Sequence, residues 1–168
     1  MFDTALRDQA RDLLDAARAK NIRIATAESC TGGLIAGLLT EIPSSSDVVE
    51  RGFVTYSNEA KEEALGVPAA LLRKYGAVSD QVARAMADGA LRHARAQLAI
   101  AVTGIAGPGG GSADKPVGLV HVALADGHNI VSHEFRFGDI GRSEVRLATV
   151  KEALKLLRAV IGSHVIPA

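Results

Sequence analysis

Residues 22–39 read IRIATAESCTGGLIAGLL. Ile22 and Ile24 begin a short strand that runs into ATAESCTGG, where two glycines and small hydroxyl residues break the pattern. Leu34, Ile35, Leu38 and Leu39 then follow at helical spacing. The unit is a strand, a tight loop and a helix. Before it, Leu6, Ala10, Leu13, Leu14 and Ala17 recur at helical spacing with Arg, Asp and Gln between them, which predicts an amphipathic helix ending near Asn21. After it, IPSSSD (42–47) is a serine-rich turn and GFVTY (52–56) a strand. SNEAKEEAL (57–65) opens with a capping residue, Ser57 or Asn58, and predicts a short helix stopped by Gly66. Pro68 starts another helix, down to Gly76. Ser79 precedes a longer one, with Val82, Ala83, Met86 and Ala90 on its apolar side, reaching about Arg95. Leu98, Ile100 and Val102 alternate as a strand does. That strand runs into TGIAGPGGGSADKP (103–116), which holds five of the 17 glycines. Residues 117–125 and 130–137 alternate on either side of ADGHN and predict a hairpin, so the sheet is mixed. A closing helix from about Gly141 carries Val150, Leu154, Leu157 and Ile161 on one stripe. Strands alternating with helices predict one three-layer α/β/α domain over residues 1–168, with its site at the strand ends.

Composition narrows the function classes. The 168 residues carry 19 Lys and Arg against 19 Asp and Glu, a formal charge of zero. A chain of this length buries roughly 70% of its unfolded surface, enough for one core without disulfides or structural metal. The basic excess that phosphate-backbone binding needs is missing, and with 4% aromatics and no Trp there is little to stack bases on. Nucleic acid is therefore not an expected partner. Cys30 is the only cysteine, which rules out an internal disulfide and a cysteine-based zinc site and fits a reducing compartment. The first 20 residues have no apolar signal region, and no apolar run approaches the ~20 residues of a membrane span. The expected location is the cytoplasm, with no membrane contact.

Four stretches could carry chemistry. In AESCTGG (27–33), Ser29 or Cys30 sits at a strand-to-helix turn, where free backbone N–H groups can stabilise an oxyanion. Neighbouring side chains on a tight turn point different ways, so one of the two faces a pocket while the other packs under the loop. The plainer alternative is that Ser29 or Thr31 only caps the next helix. The stretch is not GxSxG. In YSNEAK (56–61), burial and the positive end of a helix dipole would both lower the pKa of Lys61 toward a neutral amine, unless it lies on a solvated face with Glu59, Glu62 and Glu63. The glycine loop after Val102 lets a ligand approach the main chain, though a mobile turn fits equally; it is neither a Walker loop nor a dinucleotide fingerprint. Arg142 and Arg146 share one helix face and suit a phosphate or carboxylate, or else pair with Glu144 and Asp139. His93, His121, His128, His133 and His164 show no metal-binding spacing, so no metal ligand set is expected.

Taken in order, AESCTGG (27–33), GFVTYSNEAK (52–61), LGV (65–67), GAVS (76–79), TGIAGPGG (103–110) and KPVG (115–118) resemble the CinA carboxy-terminal domain family. Its stand-alone members are nicotinamide-nucleotide amidases. The resemblance covers nearly the whole chain. It implies hydrolysis of the carboxamide of nicotinamide mononucleotide to nicotinic acid mononucleotide and ammonia, a pyridine-nucleotide salvage step that uses no metal or cofactor. Ser29 matches the family's nucleophile and Lys61 its general base, with Tyr56 in their hydrogen-bond network. Thr31, Gly32, Gly33, Asn58, Thr103 and Gly104 are implied to line the substrate site, and Arg142 and Arg146 to contact phosphate. In the implied mechanism neutral Lys61 takes the Ser29 proton, and N–H groups from Thr31 to Gly33 hold the oxyanion. Two departures stand out: the family's GDR block reads GDIGR here, and its PGSS turn reads PSSS at 43–46. Many relatives carry an additional amino-terminal domain with pyrophosphatase activity, an activity not expected of these 168 residues. A homodimer is the expected assembly. Two other classes fit the same residues: a nucleotide-binding module without turnover, and an amidase for a different small amide.

Overall fold

The computed structural model describes residues 2–163. Helix α1 (Thr4–Ala19) buries Leu6, Ala10, Leu13, Leu14 and Ala17, the stripe expected for it, and Asp3 caps its first turn. Strand β1 (Ile24–Glu28) leads through the 29–33 turn into α2 (Leu34–Glu41), and a 3₁₀ turn (Ser45–Asp47) follows. Next come β2 (Val49–Val54), α3 (Asn58–Leu65), α4 (Ala69–Tyr75) and α5 (Asp80–Arg92). The chain continues as β3 (Leu98–Gly104), β4 (Leu119–Ala125), β5 (Ile130–Arg136) and α6 (Arg142–Ser163). The sheet order is β2-β1-β3-β4-β5. β1 lies parallel to both β2 and β3, while β3, β4 and β5 pair antiparallel, which is the mixed sheet expected.

The three central strands are buried on both faces, and their side chains sort by size. Ile24, Leu98, Ile100, Val102, Val120, Val122 and Leu124 pack with α1, α2 and α6. Ala25, Ala27, Ala99, Ala101, Ala123 and Ala125 pack with α5 and its neighbours. What reads in the sequence as strand alternation is therefore large against small, with both classes inside, as doubly covered strands require. The alanines let α5 lie close to the sheet. α5 also presses on the end of α3, where a Cβ on Gly89 would overlap the Leu65 carbonyl oxygen.

Several boundaries differ from expectation, and β1 begins at Ile24, two residues after Ile22. β2 begins at Val49 and ends at Val54, so Thr55 and Tyr56 leave the strand and turn their carbonyls toward α3. α5 stops at Arg92, three residues earlier than its apolar pattern suggested. β4 starts at Leu119, because Gly118, at φ 88°, turns the chain into the hairpin. The connection that positions the site is topological. α2 links β1 to β2 on one face, and α3 to α5 carry the chain back across the other face to β3. The carboxyl ends of β1 and β3 consequently open into a crevice, where such folds place their ligands.

Candidate functional site

Ser29 follows the last residue of β1, and its N–H donates to the Val102 carbonyl of β3 at 3.1 Å, extending the pairing one residue beyond the end of β1. Its side chain turns to the crevice. Cys30, next along, packs into the large-residue core, and burial, reinforced by the nearby Glu28 charge, pushes its thiol up to about 12. The two adjacent side chains thus diverge, Ser29 toward Lys61 and Cys30 into the core, while Cys30 also borders the crevice.

Lys61 arrives from the second turn of α3. Ser57 caps this helix by accepting from the Ala60 N–H at 3.0 Å, which settles the choice between Ser57 and Asn58. The Lys61 side chain is 1% exposed, and its Nζ lies 3.0 Å from Ser29 Oγ. Three carbonyls surround the amine: Thr55 at 2.8 Å, Tyr56 at 3.4 Å and Ser57 at 3.4 Å. No carboxylate among the described residues forms an ion pair with it, and burial holds its pKa below the ordinary lysine value. The solvated Glu-rich face considered for this lysine is therefore not its environment.

The turn between Ser29 and α2 is held from two sides. Glu28, fully buried, accepts from Thr31 Oγ1 at 2.6 Å, Gly33 N at 3.1 Å and Ile35 N at 3.0 Å through one oxygen, and from Ala36 N at 2.8 Å through the other. Arg146 donates from Nε to the Cys30 carbonyl at 3.2 Å and from Nη2 to the Thr31 carbonyl at 2.9 Å. Gly32 and Gly33, at φ 59° and 97°, make the bend that brings these groups together.

These contacts correct several expectations. The Gly33 N–H is taken by Glu28 and the Gly32 N–H by the Ser29 carbonyl at 3.0 Å, so neither is available for an oxyanion. The Thr31 hydroxyl faces Glu28, and none of Thr31, Gly32 and Gly33 lines the crevice. Arg146 grips the back of the turn and does not reach the crevice either; neither Glu144 nor Asp139 pairs with it. Asn58 is exposed and lies outside the lining. Glu28 carries no role in the sequence reading. Its signal was a glutamate ending an otherwise apolar strand before a helix whose N-cap position, Gly33, has no side chain to cap with.

The crevice is a hollow of about 260 Å³. Its lining includes Ser29, Lys61 and Tyr56, Thr103, Gly104 and the glycine loop through Gly110, and Ala77 and Val78. Thr103 Oγ1 donates to the Ala77 carbonyl at 2.9 Å, tying β3 to the segment before α5. Arg142, first residue of α6, crosses the mouth: Nη1 donates to the Gly107 carbonyl at 2.9 Å and Nη2 to the Tyr56 hydroxyl at 2.8 Å. The two extra residues of GDIGR thus leave Arg142 at the site. The N–H groups of Gly107, Gly109 and Gly110 donate to no main-chain acceptor among the described residues. A larger groove of about 570 Å³ runs between α1 and α6 past Gln9, Asp12, Lys155 and Arg158, with no serine, threonine or cysteine among its lining residues. Among the described residues no cluster of three His, Cys, Asp or Glu could hold a metal, and no helix is long and apolar enough to cross a membrane. His164 lies outside the described residues.

Comparison with known proteins agrees with the fold. Residues 6–161 match the CinA C-terminal domain. A CinA-like protein of Geobacter sulfurreducens is 55% identical over 141 residues, 84% of this chain and 34% of that one. A CinA-like protein of Anaeromyxobacter dehalogenans is 50% identical over 155 residues, 90% of this chain and 37% of that one. The chain thus spans about a third of the length of these curated relatives. Among solved structures, the competence/damage inducible protein CihA of Agrobacterium tumefaciens superposes with a TM-score of 0.93 at 56% identity, over 95% of this chain and 98% of that one. A CinA superfamily protein of Escherichia coli gives 0.88 at 33% identity, over 95% of this chain and 94% of that one.

Proposed function

We propose, for a chain that belongs to the CinA C-terminal domain family, that the crevice is an amidase site that hydrolyses the carboxamide of nicotinamide mononucleotide through Ser29 and Lys61. The observation that carries this reading is the 3.0 Å contact between the Ser29 hydroxyl and a buried amine that no carboxylate neutralises. A lysine in that setting can give up its proton and serve as a base toward the one hydroxyl within reach.

In the first half of the reaction Ser29 Oγ attacks the amide carbon while its proton passes to Lys61 Nζ. The carbonyl oxygen becomes an oxyanion. The groups suited to hold it are the N–H groups of Gly107, Gly109 and Gly110 in the loop that lines the crevice, which have no main-chain acceptor among the described residues. The tetrahedral intermediate collapses as the C–N bond breaks and the Lys61 ammonium returns the proton to the departing amide nitrogen, which leaves as ammonia. Water then attacks the acyl-serine ester, again losing a proton to Lys61, and nicotinic acid mononucleotide is released with Ser29 restored. Lys61 serves in both halves because the Thr55, Tyr56 and Ser57 carbonyls keep it aimed at Ser29 in either protonation state.

Arg142 supplies the charge at the mouth of the hollow, where a phosphate on the far end of the substrate would lie; exchanging the Tyr56 hydroxyl for a phosphate oxygen gives the guanidinium an anionic acceptor in place of a neutral one. The test is ammonia release from nicotinamide mononucleotide by the purified protein beside its Ser29→Ala variant. Turnover by the wild type and binding without turnover by the variant are expected. Affinity with no ammonia from the wild type would make the domain a binding module, and ammonia from some other amide alone would change the substrate.

A further inference from the structure

We infer that Glu28 is the positioning residue of this site: its buried carboxylate ties the end of β1 to the start of α2 and so sets the direction in which Ser29 presents its hydroxyl to Lys61. The inference rests on the amidase reading for its kinetic test and on geometry alone for its structural one.

A helix N-terminus needs acceptors for its first N–H groups, and a Ser, Thr, Asp or Asn at the N-cap position provides one locally. α2 has Gly33 there instead, and no side chain of the turn replaces it. The acceptor comes from Glu28, five to eight residues upstream of the N–H groups it receives. Burying a carboxylate that lacks a paired cation is expensive, and it is sustained here by four donors on two oxygens. A local cap would have done as much for α2 without that cost. What a local cap could not do is bind α2 to the residue immediately before Ser29. With Glu28 as acceptor, the 29–33 turn is pinned at both ends by one side chain, and the main chain at Ser29 cannot swing away without breaking the contacts that start the helix.

Glu28 also reaches the other partner through its main chain. Its carbonyl accepts the Thr55 N–H at 2.9 Å, and the Thr55 carbonyl is the nearest acceptor of Lys61 Nζ at 2.8 Å. One residue therefore sets the position of the hydroxyl through its carboxylate and of the amine's cradle through its backbone.

The experiment compares Glu28→Gln and Thr31→Val with the wild type in thermal unfolding, in ammonia release from nicotinamide mononucleotide, and in crystal structures. In Glu28→Gln the amide oxygen can keep the three donors on one side, while its NH2 opposes the Ala36 N–H. A misplacement of about 1 Å at reacting atoms costs roughly 100-fold. The expected result is a folded protein whose kcat falls on the order of 10- to 100-fold with KM changed by less than about threefold, the pattern of a lost transition-state arrangement. Its Ser29 Oγ should lie beyond about 3.5 Å from Lys61 Nζ. Thr31→Val removes one donor and should lower kcat by roughly fivefold, which keeps the question decidable if Glu28→Gln does not fold. A variant that melts earlier yet keeps the wild-type kcat and the 3.0 Å contact would overturn the inference and leave Glu28 a cap for α2. If the wild type releases no ammonia, the amidase reading fails by itself, and the two crystal structures still decide whether Glu28 positions Ser29.

Discussion

Ser29 Oγ and Lys61 Nζ lie 3.0 Å apart, and the number of acceptors around the amine matches both of its protonation states. A neutral amine has two N–H bonds and a lone pair. The Thr55 carbonyl takes one N–H, the Tyr56 or Ser57 carbonyl takes the other, and the lone pair is left for the Ser29 proton. Once protonated, the third N–H points back at Oγ. The pair can therefore pass a proton in either direction without moving a heavy atom.

Lys61 titration should appear in the rate. The neutral form is the active one, and burial lowers the lysine pKa, so at any pH below the ordinary value the active fraction exceeds that of a free lysine. kcat/KM should rise with pH to an inflection below about 10.4 and fall tenfold per unit on its acid side. Lys61→Met should lose roughly 10²- to 10⁴-fold in turnover and show no such inflection. The same shift makes folding more favourable as pH rises from the folded value toward about 10.4, since over that window the unfolded chain binds the extra proton. A pH–rate profile with its inflection at or above the ordinary lysine value would remove this amine as the base.

Cys30 should prove dispensable for chemistry. Its thiol is pushed up to about 12, so almost no thiolate exists at neutral pH. Iodoacetamide should leave activity intact over the time in which it alkylates an exposed thiol. Cys30→Ala should retain kcat within a few-fold and cost about 1 kcal/mol of stability for the lost sulfur contacts. Loss of turnover in this variant with unchanged thermal stability would transfer the nucleophile's role to Cys30.

The parts of the fold legible in the sequence are those where a stretch pairs with itself or with water. α1 announces its buried stripe through Leu6, Leu13 and Leu14, Ser57 announces the start of α3, and the two-sided turn at Ser29 follows from how adjacent side chains must diverge. The rest depends on partners far along the chain. Nothing in the composition of residues 55–57 says that their carbonyls will face an amine, because main-chain groups leave no trace in sequence. Arg146 has the spacing of a second anion ligand beside Arg142, yet the rotation of α6 against the sheet aims it at the Cys30 and Thr31 carbonyls. The sequence places β2 three residues late because it is an edge strand, half exposed, whose first residues, Val49, Glu50 and Arg51, carry no strand pattern.

The two arginines should separate kinetically. Arg142 stands at the mouth of the hollow, whereas Arg146 holds the turn behind Ser29. Arg142→Ala should raise KM roughly 10- to 100-fold for nicotinamide mononucleotide, the worth of a charged hydrogen bond, and hardly affect nicotinamide riboside. Arg146→Ala should lower kcat for both by the same factor and reduce stability by about 1–3 kcal/mol, because the Cys30 carbonyl loses its donor and the Thr31 carbonyl keeps only the Leu34 N–H. Measuring both substrates with both variants checks this; a phosphate-dependent defect in Arg146→Ala would restore the role that the sequence suggested for it.

Two glycines inside helices give the sharpest contrast. Replacing Gly89 of α5 by Ala puts a Cβ into the Leu65 carbonyl group, 2.9 Å from its carbon, at the end of the helix that carries Lys61. Ala is the better helix former by about 1 kcal/mol, but overpacking costs about 1–3 kcal/mol and here works against backbone that cannot rotate aside. α3 must move, and Lys61 with it, so Gly89→Ala should lose both stability and kcat. Gly37, on the exposed side of α2, has nothing within 4 Å of the added carbon. Gly37→Ala should therefore gain up to about 1 kcal/mol and keep full turnover. Thermal unfolding and ammonia release measured on the two variants would contradict the packing of α5 on α3 if Gly89→Ala behaved like Gly37→Ala.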